Sequence, residues 1–250
     1  MERRVIVTPR SHCENSCTDC YLKGRPDKGS RVDLFEVTED CSNIAIGWNN
    51  PVTQADTYLA KKYLLELKNL VITTRYNKYL KNTIVRECKT WDIYPELISV
   101  SVDEYNIDNA LYSFGDSTAW YSGKIGFSIL DTCNPVKIIE ALSKKEIYKY
   151  YDIYLIMKKG IVPQWKMTEA CIDGYLSIYG MYRVSLGNIV LTDSCVYSIL
   201  SEDSGNCCGR WIEVDYTGGI RVCPHSKYPD MYTLSGVPEL GLDKPLCRML

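Results

Sequence analysis

The sequence predicts an α/β fold: a partial (β/α)6 barrel of parallel strands, followed by a small C-terminal domain that contains a β-hairpin. Short β-branched apolar runs recur about every 27 residues after the first gap, at 5–7, 43–46, 70–74, 98–102, 125–130 and 153–157. Segments with helical spacing separate these runs, and strand–helix alternation is typical of parallel strands joined by right-handed crossovers. Six units are too few for a closed eight-stranded barrel.

The helix after the second strand has a clear start. Thr53 is followed three residues later by Asp56, which is the pattern of a capping box. Leu59, Tyr63 and Leu67 stand at i, i+4 and i+8. We therefore expect these three side chains to share the buried face of one helix.

The helix after the fifth strand begins with Asn134-Pro135, an N-cap residue before a proline in the first turn. Val136, Ile139 and Leu142 are predicted on its apolar face. Beyond residue 160 the regular pattern fades, with a possible helix at 165–179 and a strand within 184–192.

A polar break at 201–206 predicts a domain boundary near residue 200, with a barrel domain at 1–200 and a cysteine-rich domain at 201–250. In the second domain, the sequence predicts two strands, at 211–215 and 219–222, with Thr217-Gly218-Gly219 in the turn between them. Such a hairpin would bring Cys208 and Cys223 together at its open end.

Composition narrows the class of protein. The chain has 250 residues, 46% of them hydrophobic, a net charge of −2 and 12 cysteines. No apolar stretch approaches the roughly 18 residues of a membrane span, and the first eight residues lack the apolar core of a secretory signal, so we expect a cytoplasmic protein without membrane contact. The slightly acidic balance makes nucleic acid an unlikely partner. Twelve thiols in a reducing compartment favour metal binding over disulfides.

The first cysteine cluster follows the first strand as Cys13-x3-Cys17-x2-Cys20. Three thiolates on one short loop supply three ligands to a cubane cluster that has four irons, which leaves one iron open to a small molecule. A structural zinc site formed with His12 is the alternative, although the adjacent His12 and Cys13 would fit one tetrahedral ion poorly.

This motif, after the first strand of a βα array, resembles the radical S-adenosylmethionine (radical SAM) enzymes over roughly residues 5–160. The resemblance implies that Cys13, Cys17 and Cys20 hold a catalytic 4Fe-4S cluster, that its open iron binds S-adenosylmethionine, and that a 5′-deoxyadenosyl radical abstracts hydrogen from a substrate. It also implies an electron donor such as ferredoxin or flavodoxin.

Further cofactor-binding positions follow from the same resemblance. Where the family has Gly-Gly-Glu-Pro after the second strand, this chain has Gly47-Trp48-Asn49-Asn50-Pro51, with an amide in place of the acid. The Asn50 side chain could accept a hydrogen bond there. An aromatic residue is usual at the position of Asp19, and Tyr21 is the nearby aromatic residue. Polar residues at the ends of the third and fourth strands complete the expected set: Thr73, Ser101 and Asp103. Ser101 and Asp103 could equally be strand-end caps.

The tail is similar to the element that opens SPASM and twitch domains, because Cys208-x9-Gly218-x4-Cys223 matches its spacing. This resemblance implies a second 4Fe-4S cluster, with Cys195 and Cys247 favoured over Cys207 as further ligands. A zinc ribbon of Cys208, Cys223, His225 and Cys247 is the alternative. The remaining cysteines are expected to be packing residues: Cys41, Cys88, Cys133 and Cys171.

The functional expectation is therefore a radical SAM enzyme that acts on a peptide or small-metabolite substrate with an auxiliary cluster assisting. Two other classes of protein stay open. One is a zinc-stabilised βα binding or scaffold protein, and the other is an iron–sulfur electron-transfer protein without S-adenosylmethionine chemistry.

Overall fold

The computed structural model describes residues 4–10, 13–14, 17, 20, 33–115, 121–130, 133–144, 152–156, 190–192 and 211–221. Strands and helices alternate along most of this range. In chain order the elements are β1 (Arg4–Thr8), α1 (Leu34–Val37), β2 (Asn43–Trp48), α2 (Gln54–Leu65), β3 (Asn69–Arg75), α3 (Leu80–Trp91), β4 (Leu97–Val102), α4 (Ile107–Phe114), β5 (Lys124–Leu130), α5 (Pro135–Lys144), β6 (Asp152–Ile156), β7 (Val190–Thr192), β8 (Trp211–Asp215) and β9 (Ile220–Arg221).

The described strands form one sheet in the order β7-β6-β5-β4-β3-β2-β1-β8-β9. Every neighbouring pair is parallel except β8 with β9. The predicted α/β class is confirmed, and the mostly parallel sheet is compatible with a partial barrel. The sheet has more parallel strands than the six of the predicted barrel, because two further strands join it at opposite sides. One is β7, which lies within the strand predicted at 184–192, and the other is β8 of the hairpin predicted for the C-terminal domain. β8 pairs with β1, bringing together Thr8 and Glu213, which are 205 positions apart.

The two faces of the sheet differ in chemistry. Ile72, Ile98 and Ile125 are in register on neighbouring strands and form one hydrophobic core with helix residues such as Tyr63 and Leu111. Side chains alternate along a strand, so the intervening residues lie on the opposite face. We call this the polar face. Its polar residues are Thr8, Thr73, Arg75, Ser99, Ser101, Ser128, Glu213 and Asp215, and it also carries Gly47 and apolar residues such as Ile6, Ala45 and Val71.

Helix α2 begins as predicted. The backbone N–H of Thr53 donates to Asp56 Oδ2 at 2.8 Å, and the N–H of Asp56 donates to Thr53 Oγ1 at 3.4 Å, which completes the capping box. Tyr63 is fully buried and Leu59 packs against the core. The expectation for Leu67 is wrong: the helix ends at Leu65, and Leu67 is 91% exposed in a left-handed conformation (φ 57°) where the chain turns toward β3.

The start of α5 is confirmed, since Asn134 Oδ1 accepts hydrogen bonds from the N–H groups of Val136 and Lys137 at 3.1 and 3.4 Å. The predicted apolar face is wrong at Val136, which is exposed. The buried side chains are those of Ile138, Ala141 and Leu142, which stand at i, i+3 and i+4 and so share one face of the helix.

The predicted hairpin is confirmed in β8 and β9. The N–H of Asp215 donates to Gly219 O at 3.0 Å, and the N–H of Gly218 donates to Asp215 O at 2.8 Å. Gly218 has φ 77°, a conformation that favours glycine. Because Trp211 pairs with Arg4, the chain enters β8 at the amino end of β1 and the turn lies at its carboxyl end.

Other expectations lie outside the described residues: the helix at 165–179 and the domain boundary at residue 200. No helix within the described ranges combines the length and the apolar character that crossing a membrane requires.

Candidate metal centre

The three predicted ligands follow β1 directly. Cys13, Cys17 and Cys20 are free, half-buried thiols on the segment that leaves the carboxyl end of this strand. In parallel α/β folds the loops at the carboxyl ends of the strands carry the functional groups. The fold therefore brings the cysteine motif to the edge of the sheet where a site is expected.

The electrostatics of Cys17 connect it with its neighbours. Burial raises the pKa of the Cys17 thiol above its usual value; the positive charge of Arg75 partly offsets this rise, while Cys20 and Cys13 add to it. Cys13 and Cys20 thus both lie within electrostatic range of Cys17, and so does the cation of Arg75 at the end of β3.

The loop after β2 contacts the side chain of Cys13 through a backbone hydrogen bond of its own. The N–H of Asn50 donates to Cys13 Sγ at 3.3 Å, and the N–H of Glu14 donates to Asn50 O at 2.7 Å. The peptide bond from Asn50 to Pro51 is cis. Sequence reasoning expected the side chain of Asn50 to act at this position, whereas the described contacts to the cysteine loop use its backbone.

Arg10 is a residue of this site that the sequence did not reveal. Its guanidinium lies 2.9 Å from Asp56 Oδ2 and donates to the carbonyl oxygens of Asn49, at 3.2 Å, and of Pro51. Asn49 Nδ2 donates in return to Arg10 O at 3.0 Å. For Asp56, the sequence indicated only the capping role. Arg10 was missed because an arginine between a strand and a cysteine motif has no distinguishing pattern.

The predicted cofactor-binding residues of the other strands lie along the carboxyl edge. Gly47 pairs with Thr73 in register, and Ser101 pairs with Arg75. All four are half-buried. Thr73 Oγ1 donates to Ile46 O at 3.4 Å, so its hydroxyl is held along the edge.

Asp103 has a structural role at the end of β4. One carboxylate oxygen accepts from the N–H groups of Tyr105 and Asn106 at 3.0 and 3.1 Å, and the other forms an ion pair with Arg75. The capping alternative for Asp103 is therefore present in the structure, and the same contacts fix Arg75 near Cys17.

The described part of the chain contains no group of three or more His, Cys, Asp or Glu side chains that could hold a metal ion as they stand. The remaining predicted site residues lie outside the described residues: Tyr21, Cys195, Cys208, Cys223 and Cys247.

Three of the four cysteines assigned to packing are buried and belong to the hydrophobic core: Cys41, Cys88 and Cys133. Burial, with a smaller contribution from Glu87, raises the pKa of Cys88 to about 12, so this thiol stays protonated at neutral pH. Their packing role is confirmed, and Cys171 lies outside the described residues.

Fold and site together define an α/β protein with a three-cysteine loop at the carboxyl edge of a mostly parallel sheet. No family model matches the chain, and no curated protein matches it.

Proposed function

We propose that this chain is a radical S-adenosylmethionine enzyme in which Cys13, Cys17 and Cys20 hold a 4Fe-4S cluster. One observation carries the proposal: three free thiols follow β1 at the carboxyl edge of the sheet, and a backbone N–H from the loop after β2 donates to one of them. Three thiolates leave one iron of such a cluster without a protein ligand.

The donor set fits this group. Thiolates are the usual protein ligands of iron–sulfur clusters, and N–H groups that donate to the sulfur atoms are typical of such sites. Cys13, Cys17 and Cys20 are accessible and electrostatically coupled, unlike the buried Cys41 and Cys88. Binding would draw the three thiols closer together than they lie in the chain alone.

The chemistry that a cluster and S-adenosylmethionine supply in the resembled family is one-electron reductive cleavage to methionine and a 5′-deoxyadenosyl radical that takes hydrogen from a substrate. In this chain the loop at Asn49 and Asn50, with Gly47 before it, would bind the amino group of S-adenosylmethionine. Thr73 and Ser101 would orient the nucleoside with their hydroxyl groups. Arg75 supplies a cation beside Cys17.

The substrate is proposed to lie against the polar face, with the sheet curved as a partial barrel around it. This face carries small hydroxyl side chains; Ser99 and Ser128 share a 2.5 Å hydrogen bond across β4 and β5. Such groups bind polar, hydrogen-bonding molecules, so a peptide or a small polar metabolite is the proposed substrate. A protein electron donor such as ferredoxin or flavodoxin would reduce the cluster.

The hairpin of β8 and β9 supports an auxiliary cluster site in the C-terminal region, with Cys208 and Cys223 on either side of it in the sequence and Cys195 and Cys247 as further ligands. β8 has five residues, a length of roughly 15 Å. Its open end at Trp211 and Arg221 is thus about one strand length from the edge that carries Cys13. A cluster there would assist by electron transfer or by holding a remote part of the substrate.

The test is anaerobic reconstitution with iron and sulfide, followed by dithionite and S-adenosylmethionine, with iron, sulfide, zinc and 5′-deoxyadenosine measured. We expect about four to eight irons per chain with matching sulfide, and formation of 5′-deoxyadenosine. An intact cluster without 5′-deoxyadenosine would refute the radical chemistry and favour electron transfer. Zinc alone would favour the scaffold protein.

Matched cysteine variants localise the site. Cys17→Ala should lose the catalytic cluster, about four irons, and all 5′-deoxyadenosine formation. Cys41→Ala, which removes a buried thiol of the core, should keep both. Equal loss in the two variants would contradict the assignment of Cys17.

A further inference from the structure

We propose that Arg10, held by Asp56, is a positioning residue that orients the peptide group between Asn49 and Asn50 toward the thiol of Cys13. The geometric part of this inference needs no bound group. Its redox consequence rests on the proposed function.

One nitrogen of the guanidinium makes all the described contacts of the Arg10 side chain. Nη2 lies 3.2 Å from Asn49 O and 2.9 Å from Asp56 Oδ2, and it also donates to Pro51 O. The two carbonyl groups flank Asn50 on either side. Arg10 therefore holds the backbone of this loop before and after the residue that contacts Cys13.

The geometry of the peptide bond links these contacts to the sulfur atom. Among the described peptide bonds only the one from Asn50 to Pro51 is cis, so the preceding bond is trans. In a trans peptide the C=O and N–H groups are coplanar and point in opposite directions. Fixing Asn49 O on Arg10 thus aims the N–H of Asn50 the other way, where Cys13 Sγ accepts it at 3.3 Å.

Asp56 makes this arrangement rigid. Its carboxylate is 2% exposed and accepts hydrogen bonds from Thr53 N at 2.8 Å and from Thr53 Oγ1 at 2.9 Å, as part of the α2 capping box. The guanidinium is thereby anchored to the first turn of a twelve-residue helix. Asn49 Nδ2 adds a return contact to Arg10 O.

A hydrogen bond to a cluster thiolate has a defined redox effect. The positive end of the N–H dipole stabilises the more negative, reduced state of the cluster, and hydrogen bonds to the sulfurs are among the factors that set the potential. Loss of the Asn50 contact is therefore expected to make the reduction potential more negative.

The experiment compares the double variant Arg10→Met/Asp56→Asn with the wild-type chain. Removing both charges avoids leaving a buried carboxylate unpaired, and the asparagine oxygen can still accept from Thr53. Arg86→Met/Glu87→Gln is the matched control, because it also removes both charges of one ion pair, here with an arginine side chain that is 66% exposed. Circular dichroism verifies that each variant is folded.

The first readout is amide hydrogen exchange in the reduced, metal-free chain. We expect the Asn50 amide to exchange faster in Arg10→Met/Asp56→Asn and at the wild-type rate in Arg86→Met/Glu87→Gln. The Ile93 amide, which donates to Cys88 O at 3.0 Å, is the internal reference and should not change. The second readout is the midpoint potential of the reconstituted chain, which should become more negative in Arg10→Met/Asp56→Asn only.

An unchanged Asn50 exchange rate in folded Arg10→Met/Asp56→Asn would overturn the positioning role of Arg10, and an unchanged potential would overturn its redox consequence. If the wild-type chain takes up no cluster, the proposed function fails, and the Asn50 exchange rate by itself still decides whether Arg10 positions this peptide group. If the cluster forms with equal potentials and equal exchange rates, the positioning role fails while the proposed function stands.

Discussion

The buried ion pair of the hairpin should be among the most sensitive points of the fold. Asp215 accepts through Oδ1 from Thr217 N, Thr217 Oγ1 and Gly219 N at 3.0, 2.6 and 3.0 Å. Its other oxygen accepts from Arg221 Nη1 at 2.7 Å. Arg221 is 1% exposed, so its charge has little access to water. We choose Asp215→Asn, which can keep the three Oδ1 contacts and removes the counter-charge.

The expected loss of stability follows from this burial. Removing one partner of a buried pair leaves an uncompensated charge and costs about 3–5 kcal/mol. Asp215→Asn/Arg221→Met removes both charges of this pair, so it should be less destabilised than Asp215→Asn alone, with a coupling energy of at least about 1 kcal/mol. The control Arg86→Met/Glu87→Gln removes both charges of a pair whose arginine is 66% exposed, and it should cost less than about 1 kcal/mol.

The assay is urea unfolding followed by circular dichroism under reducing conditions. It compares the wild-type chain with Asp215→Asn, Arg221→Met, the double variant of these two and the control. A cost below about 1 kcal/mol for Asp215→Asn, or strictly additive single variants, would refute the claim that this pair is buried and coupled.

Two further predictions concern the pH response and the glycines. Burial by itself would raise the pKa of Asp215, but hydrogen bonds from Thr217 and Arg221 and the charge of Arg221 outweigh it and hold the pKa below its usual value. The pair's contribution to stability is thus complete above the unfolded pKa of about 4 and is lost as the pH falls through the folded value. The stability difference between wild type and Asp215→Asn/Arg221→Met should accordingly shrink as the pH falls below about 4; a constant difference would contradict this. A methyl group at Gly123 would lie 2.5 Å from Pro95 O, whereas one at Gly47 would have no neighbour closer than 3.8 Å. Gly123→Ala should therefore cost about 1–3 kcal/mol in thermal unfolding, and Gly47→Ala should unfold like the wild type while binding S-adenosylmethionine more weakly; equal thermal stability of the two variants would refute the packing argument.

Local patterns predicted the elements well. Apolar runs located β1 to β6, and the capping residues Thr53 and Asn134 located the starts of α2 and α5. The expectations failed for single side chains at helix ends. Leu67 and Val136 match a helical period but lie beyond or beside the buried face, because the exact end and rotation of a helix depend on what packs against it.

The candidate site likewise has local features that the sequence predicted and long-range contacts that it did not. The cysteine spacing and its position after a strand were readable, since both are local properties of one segment. Arg10 and the backbone of Asn50 were not, because their contacts join two loops that are about 40 residues apart in the chain. A backbone N–H leaves no mark in a sequence, and an arginine becomes part of the site only through the acceptors that surround it.

The sequence by itself determined the alternation of strands and helices, the turn of the hairpin and the cysteine motif, because hydrophobic period, capping and turn conformation act over a few residues. Only the tertiary structure decided that β8 lies beside β1 and that the β2–α2 loop donates to Cys13. Strand partners and loop contacts are selected by burial and hydrogen bonding between distant segments, and these depend on the whole chain being folded.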